Sequence, residues 1–467
     1  MTGLTITEAG RALRAGEITA AGLLREVGDR ADKLDPRLGV YLTRFAERAA
    51  ADAERADREL AAGIDRGPLH GIPLGIKDIL ATEGWATTGQ SLVNDPAWWQ
   101  GKDAPVVARL RAAGAVITGK TTTMEYAIGL PDPDKPFPVP RNPWDPATWP
   151  GGSSSGTGAG VAAGLFLGGL GTDTGGSVRI PAAYCGITGL KPTYGLVPRA
   201  GCLPLGFSLD HIGPMARSAA DCALMLSVMA GHDARDPAAR RDLPGDFTAG
   251  FTTALTGDLT GLRVGVERTI PAAAPDCDPA VPPSLDAVAA ALAAAGATVV
   301  DVAIPCYGVL ADADIVIMAA EAFSYHRAAM RSRWTDYGRH TRAFIAQGAL
   351  LSAADYVTAQ RARRVACAAL DEVLATVDVV ITPTTATGAP SYDDIDMATL
   401  MSLIFTGAFN STGLPVLAAP AGFTAAGLPL SVQVIGRPLA DATVLAVGDA
   451  LQRRTTHHLR EPEIAHA

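Results

Sequence analysis

Cysteine and histidine are sparse in this chain, and neither is clustered. Six cysteines in 467 residues, at 185, 202, 222, 277, 306 and 367, include no C-x-x-C pair. Scattered in a chain of this length, they read as reduced thiols packed as small buried hydrophobes. Eight histidines include no H-E-x-x-H and no close Cys/His group, so neither a metal nor any other cofactor is expected. The His457-His458 pair near the tail reads as solvated. There is no basic block, and the net charge is -9, which argues against a nucleic-acid partner. No uncharged apolar run is long enough to span a bilayer; Val161–Leu170 is too short and is broken by glycine. Met1–Arg11 has neither the basic nor the apolar region of a secretory signal. A cytoplasmic protein without a membrane partner is the expectation, and a homodimer is compatible with it.

What is present is a globular composition. Hydrophobic residues make up 48% and charged residues 19%, which suits a large core. At ~150 residues per domain the length allows about three domains, but no repeat or linker divides the chain. Residues 1–65 read as a helical arm packed on a single catalytic-size unit of residues 66–467. Periodic Ala/Arg/Glu/Leu stretches predict helix through 4–62, with Thr7 as a cap, a turn at 16–19 and Thr19 capping a second helix. Strands are expected at 71–80, 115–118, 262–266, 298–302, 377–382, 415–421 and 430–435. Helices are expected at 103–113, 218–230, 282–295, 315–333, 352–374 and 441–453. The proline-rich 130–150 segment reads as loop. Alternating strands and helices predict an α/β fold: a layered α/β/α domain with a mixed central sheet covered by helices.

Glycine, serine and threonine concentrate in one stretch, Gly151–Gly195. An apolar run, Val161–Leu170, lies inside it, which a flexible linker would lack. The stretch reads as two loops bracketing a buried helix, with Ser153 and Ser177 brought to one site.

Two motif matches compete with that reading, and local context disfavours both. Gly114–Thr121 fits G-x-x-x-x-G-K-[ST], but a helix precedes Gly114 and the intervening residues are strand-like, the reverse of a phosphate loop. Gly152–Gly156 fits the G-x-S-x-G elbow with Ser154 as nucleophile, but the preceding Arg141–Pro150 segment cannot be a central strand. No local signal marks His211 or His326 as the base such a triad needs.

A serine hydroxyl needs a base. Lys77 follows the alternating Ile72–Ile76 run, so its stem enters an apolar environment. Two readings stand: a lysine snorkelling from a strand end, or a desolvated amine with a lowered pKa. Asp78 reads as a structural partner. The backbone N–H groups of Thr174, Gly175, Gly176 and Ser177 could converge as an oxyanion hole; serine in such a loop could equally make turn hydrogen bonds. Asp173 and Arg179 read as an ion pair holding the loop.

Several segments together carry a resemblance to a known family. They are Gly71-Ile-Pro-Leu-Gly-Ile-Lys77-Asp78, Gly151-Gly-Ser153-Ser154, Gly171-Thr-Asp-Thr-Gly-Gly-Ser177-Val-Arg-Ile-Pro-Ala-Ala-Tyr-Cys-Gly186 and Gly189-Leu-Lys-Pro-Thr-Tyr-Gly195. The chain resembles the amidase signature family over essentially its whole length. The resemblance implies an amidohydrolase with a Ser–cis-Ser–Lys triad: Ser177 as acyl-forming nucleophile, Ser153 as the bridging serine after a cis bond, Lys77 as base. The sequence departs from that pattern at Ser155, where the family has glycine. It also implies a small, partly apolar amide substrate, with esters or carbamates as side substrates. Met124, Tyr126, Gly152, Phe207 and Ile404 are the expected pocket residues, with Leu203–Leu205, Phe405 and Trp98-Trp99 as further candidates.

Alternatives are the amidase (glutaminase) subunit of a tRNA-dependent amidotransferase, a serine esterase of another fold using Ser154, and a non-catalytic binding protein. Around 300–345 the amidotransferase subunit carries Tyr-Asp-Gly; here Glu321–His326 and Trp334–Tyr337 stand there, closer to stand-alone amidases.

Overall fold

The computed structural model describes residues 3–244 and 247–466. Eleven strands form one mixed sheet: β1 (Tyr41–Arg44), β2 (Pro73–Lys77), β3 (Val116–Thr121), β4 (Gly168–Asp173), β5 (Thr188–Lys191), β6 (His211–Ala216), β7 (Arg263–Glu267), β8 (Thr298–Val302), β9 (Val379–Pro383), β10 (Val416–Phe423) and β11 (Pro429–Gly436). Their order is β1-β3-β2-β4-β6-β5-β10-β11-β9-β7-β8. β3, β2 and β4 are mutually parallel, as are β8, β7 and β9; the joining pairs and the β1 edge are antiparallel. The parallel groups are buried along nearly every residue of β2, β3, β4 and β9, as parallel strands under helices must be. This is the expected layered α/β fold.

Local chemistry explains many element boundaries. Thr19, Ser218 and Ser352 cap their helices by accepting from the backbone of Gly22, Asp221 and Asp355. The first helix, Ile6–Arg14, is capped by Thr5 in a capping box with Glu8. Thr7 instead donates from N and Oγ1 to the buried Asp221, at 3.0 and 2.9 Å. The 4–62 segment is not all helix: Tyr41–Arg44 is the sheet's edge strand, antiparallel to β3.

The Gly151–Gly195 stretch also divides differently. Its helix is Ser155–Ala162, and the apolar run crosses from that helix into β4. A further helix, Arg179–Cys185, follows Ser177. Every residue of Ser155–Ala162 is buried, and its glycines are there for close approach: a Cβ at Gly156 would lie 2.4 Å from the Val40 carbonyl oxygen. β5 and β6 were not expected either. The glycine and proline in Thr188–Lys191 and His211–Ala216 mask them, and only burial between neighbouring strands makes them sheet.

Gly114 follows the Pro105–Ala112 helix with φ +80°, and Gly119, Lys120 and Thr121 lie inside β3, so no phosphate loop exists there. His458 is buried, and burial lowers its pKa to about 4, so it is not the solvated residue expected. Cys185 and Cys222 are buried as expected, whereas Cys306 is exposed. Among the described residues no helix is long and apolar enough to cross a membrane, and no group of three or more His, Cys, Asp or Glu is placed to hold a metal ion.

Candidate active site

Lys77 is the last residue of β2 and is fully buried. Parallel pairing places Ile76 beside Leu170 of β4, so Lys77 lies beside the carboxyl-terminal half of that strand. Lys77 Nζ donates to Ser153 Oγ at 2.7 Å and to Thr172 Oγ1 at 2.8 Å. No described carboxylate forms an ion pair with it; burial lowers its pKa to about 7, and Cys202, Asp173 and Asp210 pull weakly the other way. At that value about half of the amine is neutral at pH 7, and a neutral amine 2.7 Å from Ser153 Oγ can accept as well as donate. The position holds a desolvated amine, not a lysine snorkelling from a strand end.

Two other buried lysines are held differently. Lys120 pairs with Asp78 at 3.2 Å and donates to Leu80 O, which confirms Asp78 as a structural partner. Lys191 donates to Leu414 O beside His211.

The peptide bond between Gly152 and Ser153 is cis. Ser154 N donates to Ser177 O at 3.2 Å, which ties the two serine loops together. The Ser177 hydroxyl makes no hydrogen bond to a described residue, and Ser177 is half-buried at the cavity wall. The N–H groups of Gly175, Gly176 and Ser177 likewise donate to no described group. Gly176 has φ +134°, and a Cβ there would lie 2.0 Å from Thr406 Oγ1, so this turn requires glycine. Thr174 Oγ1 donates to Asp210 Oδ1 at 2.6 Å, and Thr406 Oγ1 to Gly175 O at 2.6 Å; together they hold the loop.

Behind the loop, Arg179 is fully buried and pairs with Asp173 at 2.9 Å, while also bonding Gln433, Asn410 and Thr406 O. Burial opposes ionisation of Asp173, but the Arg179 and Lys191 charges and Asn410 outweigh it and hold the carboxyl well below its usual range. The expected loop-holding ion pair is therefore present.

Ser154 does not fit a nucleophile elbow. It is fully buried, and its Oγ both accepts from Thr172 N and donates to Thr172 O, each at 3.2 Å. His211 lies against Lys191 and Leu209 O, and His326 bonds Tyr337. Ser155 Oγ donates to Gly151 O at 2.6 Å, so the departure from glycine adds a bond within the turn.

Ser153 and Ser177 open onto a cavity of about 550 Å³ with mostly apolar walls. Met124, Gly152 and Ile404 line it as expected, and so do Leu205 and Phe405. Tyr126 and Phe207 do not. Tyr126 is buried against His326, with ring centroids 4.3 Å apart, and Phe207 is 59% exposed. Trp98 and Trp99 pack on the core instead. Sequence reasoning missed Thr172 as a partner of Lys77, and it missed the carboxyl groups of Asp312 and Asp314 in the cavity wall. Asp314 had a signal: it lies on the apolar Leu310–Ile317–Met318 face of the Tyr307–Ser332 helix, which begins eight residues earlier than the pattern predicts.

Ligands of layered α/β domains bind beyond the carboxyl ends of the strands, where this polar cluster lies, and comparison with known proteins gives the family. Residues 22–445 match the family model described as Amidase. A glutamyl-tRNA(Gln) amidotransferase subunit of Chloroflexus aggregans is 39% identical over 490 residues, covering 99% of this chain and 99% of that protein. AmiD of Mycobacterium tuberculosis, which its name places among the amidases, is 37% identical over 478 residues, covering 99% of this chain and 96% of that one. The structure of the peptide amidase from Stenotrophomonas maltophilia superposes with a TM-score of 0.86 at 31% identity, covering 99% and 98% of the two chains. The chain belongs to the amidase family and is a hydrolase acting on C–N bonds.

Proposed function

We propose that this chain cleaves small, partly apolar amides through a Ser177 acyl-enzyme, with Lys77 as base and Ser153 as relay. The observation that carries the proposal is the 2.7 Å contact between the buried, ion-pair-free Lys77 and Ser153, in the wall of the cavity that Ser177 also lines.

Neutral Lys77 accepts the Ser153 proton as Ser153 Oγ accepts that of Ser177. Ser177 Oγ then bonds the amide carbon. The oxyanion rests on the N–H groups of residues 174–177, of which those of 175, 176 and 177 have no other described partner. As the C–N bond breaks, Ser153 passes a proton to the departing amine and is reprotonated by Lys77. Water then attacks the ester carbon, giving its proton to the same relay, and Ser177 is released. Esters and carbamates present the same carbonyl geometry and are side substrates.

Labelling with a fluorophosphonate followed by peptide mapping is the test. Modification at Ser177, blocked by an amide substrate, is expected; modification at Ser154, or turnover persisting after stoichiometric labelling elsewhere, would overturn the assignment.

A second reading, glutaminase subunit of an amidotransferase, is favoured by the kinship with the Chloroflexus protein. The cavity disfavours it: among the described residues no Lys, Arg or His lines the walls to receive the α-carboxylate of glutamine. Glutamine hydrolysis that appears only on adding the other subunits would restore it.

A further inference from the structure

The cavity is apolar except at a few places, and one of them has no explanation within the chain. Asp314 lines it and is 2% exposed. Neither of its oxygens accepts a hydrogen bond from a described residue, and Oδ1 is wholly buried without a partner. A buried polar group left without a partner is costly, and native structures rarely keep one without a reason such as a bound ligand, ion or water.

Two glycines open the path from Asp314 to the cavity. A Cβ at Gly175 would stand 3.2 Å from Asp314 Oδ2, and one at Gly407 would stand 3.4 Å from it. Gly175 belongs to the Ser177 loop, so Asp314 lies beside the reacting centre.

The neighbouring cations are engaged elsewhere. Arg179 is bound to Asp173, Asn410 and Gln433; Lys191 donates to Leu414 O; Arg363 donates to Ser411 O. A second carboxyl, Asp312, stands exposed on the same helix and also lines the cavity. Among the described residues the walls therefore combine two carboxyl side chains, no Lys, Arg or His, and a hydrocarbon lining that includes Met318, Ile404 and Phe405.

The geometry points to Asp314 as the specificity residue of this cavity, binding the ammonium group of substrates that carry a primary amine on an apolar body. This deepens the proposed amidase function and rests on it. An ammonium supplies donors to both orphaned oxygens and an opposite charge. Burial pushes the Asp314 carboxyl well above its usual range, and a bound ammonium favours its ionised form again. A methyl group in the same place would leave the carboxyl orphaned, and a second carboxylate would meet two acids.

The test compares 5-aminopentanamide, hexanamide and adipic acid monoamide, whose chains end in ammonium, methyl and carboxylate. With the intact chain, kcat/KM for the amine is expected to exceed that for the methyl analogue by about ten-fold or more, through KM, with the acid poorest. In Asp314→Asn the amine-to-methyl ratio is expected to fall to about one, a change that a general structural defect would not produce. Equal values for amine and methyl substrates in the intact protein, or an unchanged ratio in Asp314→Asn, would overturn the inference.

Calorimetry with pentylammonium and 1-pentanol reads the site without catalysis, and needs no variant. Tighter binding of pentylammonium supports the inference even if no amide is hydrolysed, in which case the hydrolytic reading alone fails. Hydrolysis of hexanamide with no preference for pentylammonium means that the inference alone fails.

Discussion

Lys77 is the residue whose chemistry depends most on where it is buried. Its pKa, lowered to about 7, sets the direction of two effects. The first is on rate. If Lys77 must be neutral to accept a proton, kcat/KM rises with pH, is half-maximal near pH 7 and levels above it; a flat profile from about pH 6 to 9 would contradict this. The second is on stability. Between about pH 7 and the ordinary lysine value, the unfolded chain holds a proton that the folded chain has released, so folding gains stability as pH rises through that window. The denaturation midpoint of the intact protein relative to Lys77→Met should therefore increase from about pH 6.5 to 9.5. Separately, Ser177→Ala and Lys77→Ala should each lose about 2–3 orders of magnitude in kcat while remaining folded, as read by steady-state kinetics alongside circular dichroism. Near-normal turnover in folded Ser177→Ala would sink the mechanism.

At the scale of elements, the Asp173–Arg179 pair joins the end of β4 to the start of the Arg179–Cys185 helix. Asp173 Oδ2 also accepts from Val178 N at 3.1 Å, so one carboxylate spans the turn that carries Ser177. Both side chains are fully buried. Removing one leaves the other charge uncompensated, which typically costs about 3–5 kcal/mol. Arg179→Met should lower the unfolding free energy by roughly that amount in urea titration, and Arg179→Lys should recover only part of it, because an ammonium cannot reproduce the guanidinium fork. An Arg179→Met protein as stable as the parent would mean that the pair does not hold the turn.

At the scale of the whole molecule, residues 3–65 of the amino-terminal arm contribute side chains to the main core and a strand to the sheet. Its edge strand β1 pairs with β3, Val40 O accepts from Thr122 N at 2.8 Å, and Ile6, Leu13, Leu23 and Phe45 belong to the main core. We propose that this arm and residues 66–467 fold as one cooperative unit. Removing 1–65 should yield aggregated protein, and the full chain should show a single urea transition by fluorescence and circular dichroism; a soluble, active 66–467 fragment would refute this.

Much of this was legible locally. Alternation marked β2, further strand-like runs marked β7–β11, the Thr19 hydroxyl marked one helix cap, and the proline-rich run marked the loop before Gly151. Lys77, Ser153 and Ser177 stood out because a lysine at the end of an apolar strand and serines framed by glycine violate the surrounding pattern. Each of these signals is carried by neighbours along the chain, so sequence alone could determine them. The glycine and proline strands β4, β5 and β6 carried no such signal, since they become sheet only through burial between their neighbours. Which way Tyr126 and Phe207 face, and that Asp314 is left without a partner, was likewise undecided by any local pattern. Ser153 and Thr172 are 76 and 95 positions from Lys77 along the chain; the parallel register of β2 and β4 brings Thr172 to it, and the loop before the Ser155–Ala162 helix brings Ser153. Residue type set which groups could do chemistry; tertiary packing alone set which of them are desolvated, which are neutralised by a neighbour and which face the cavity.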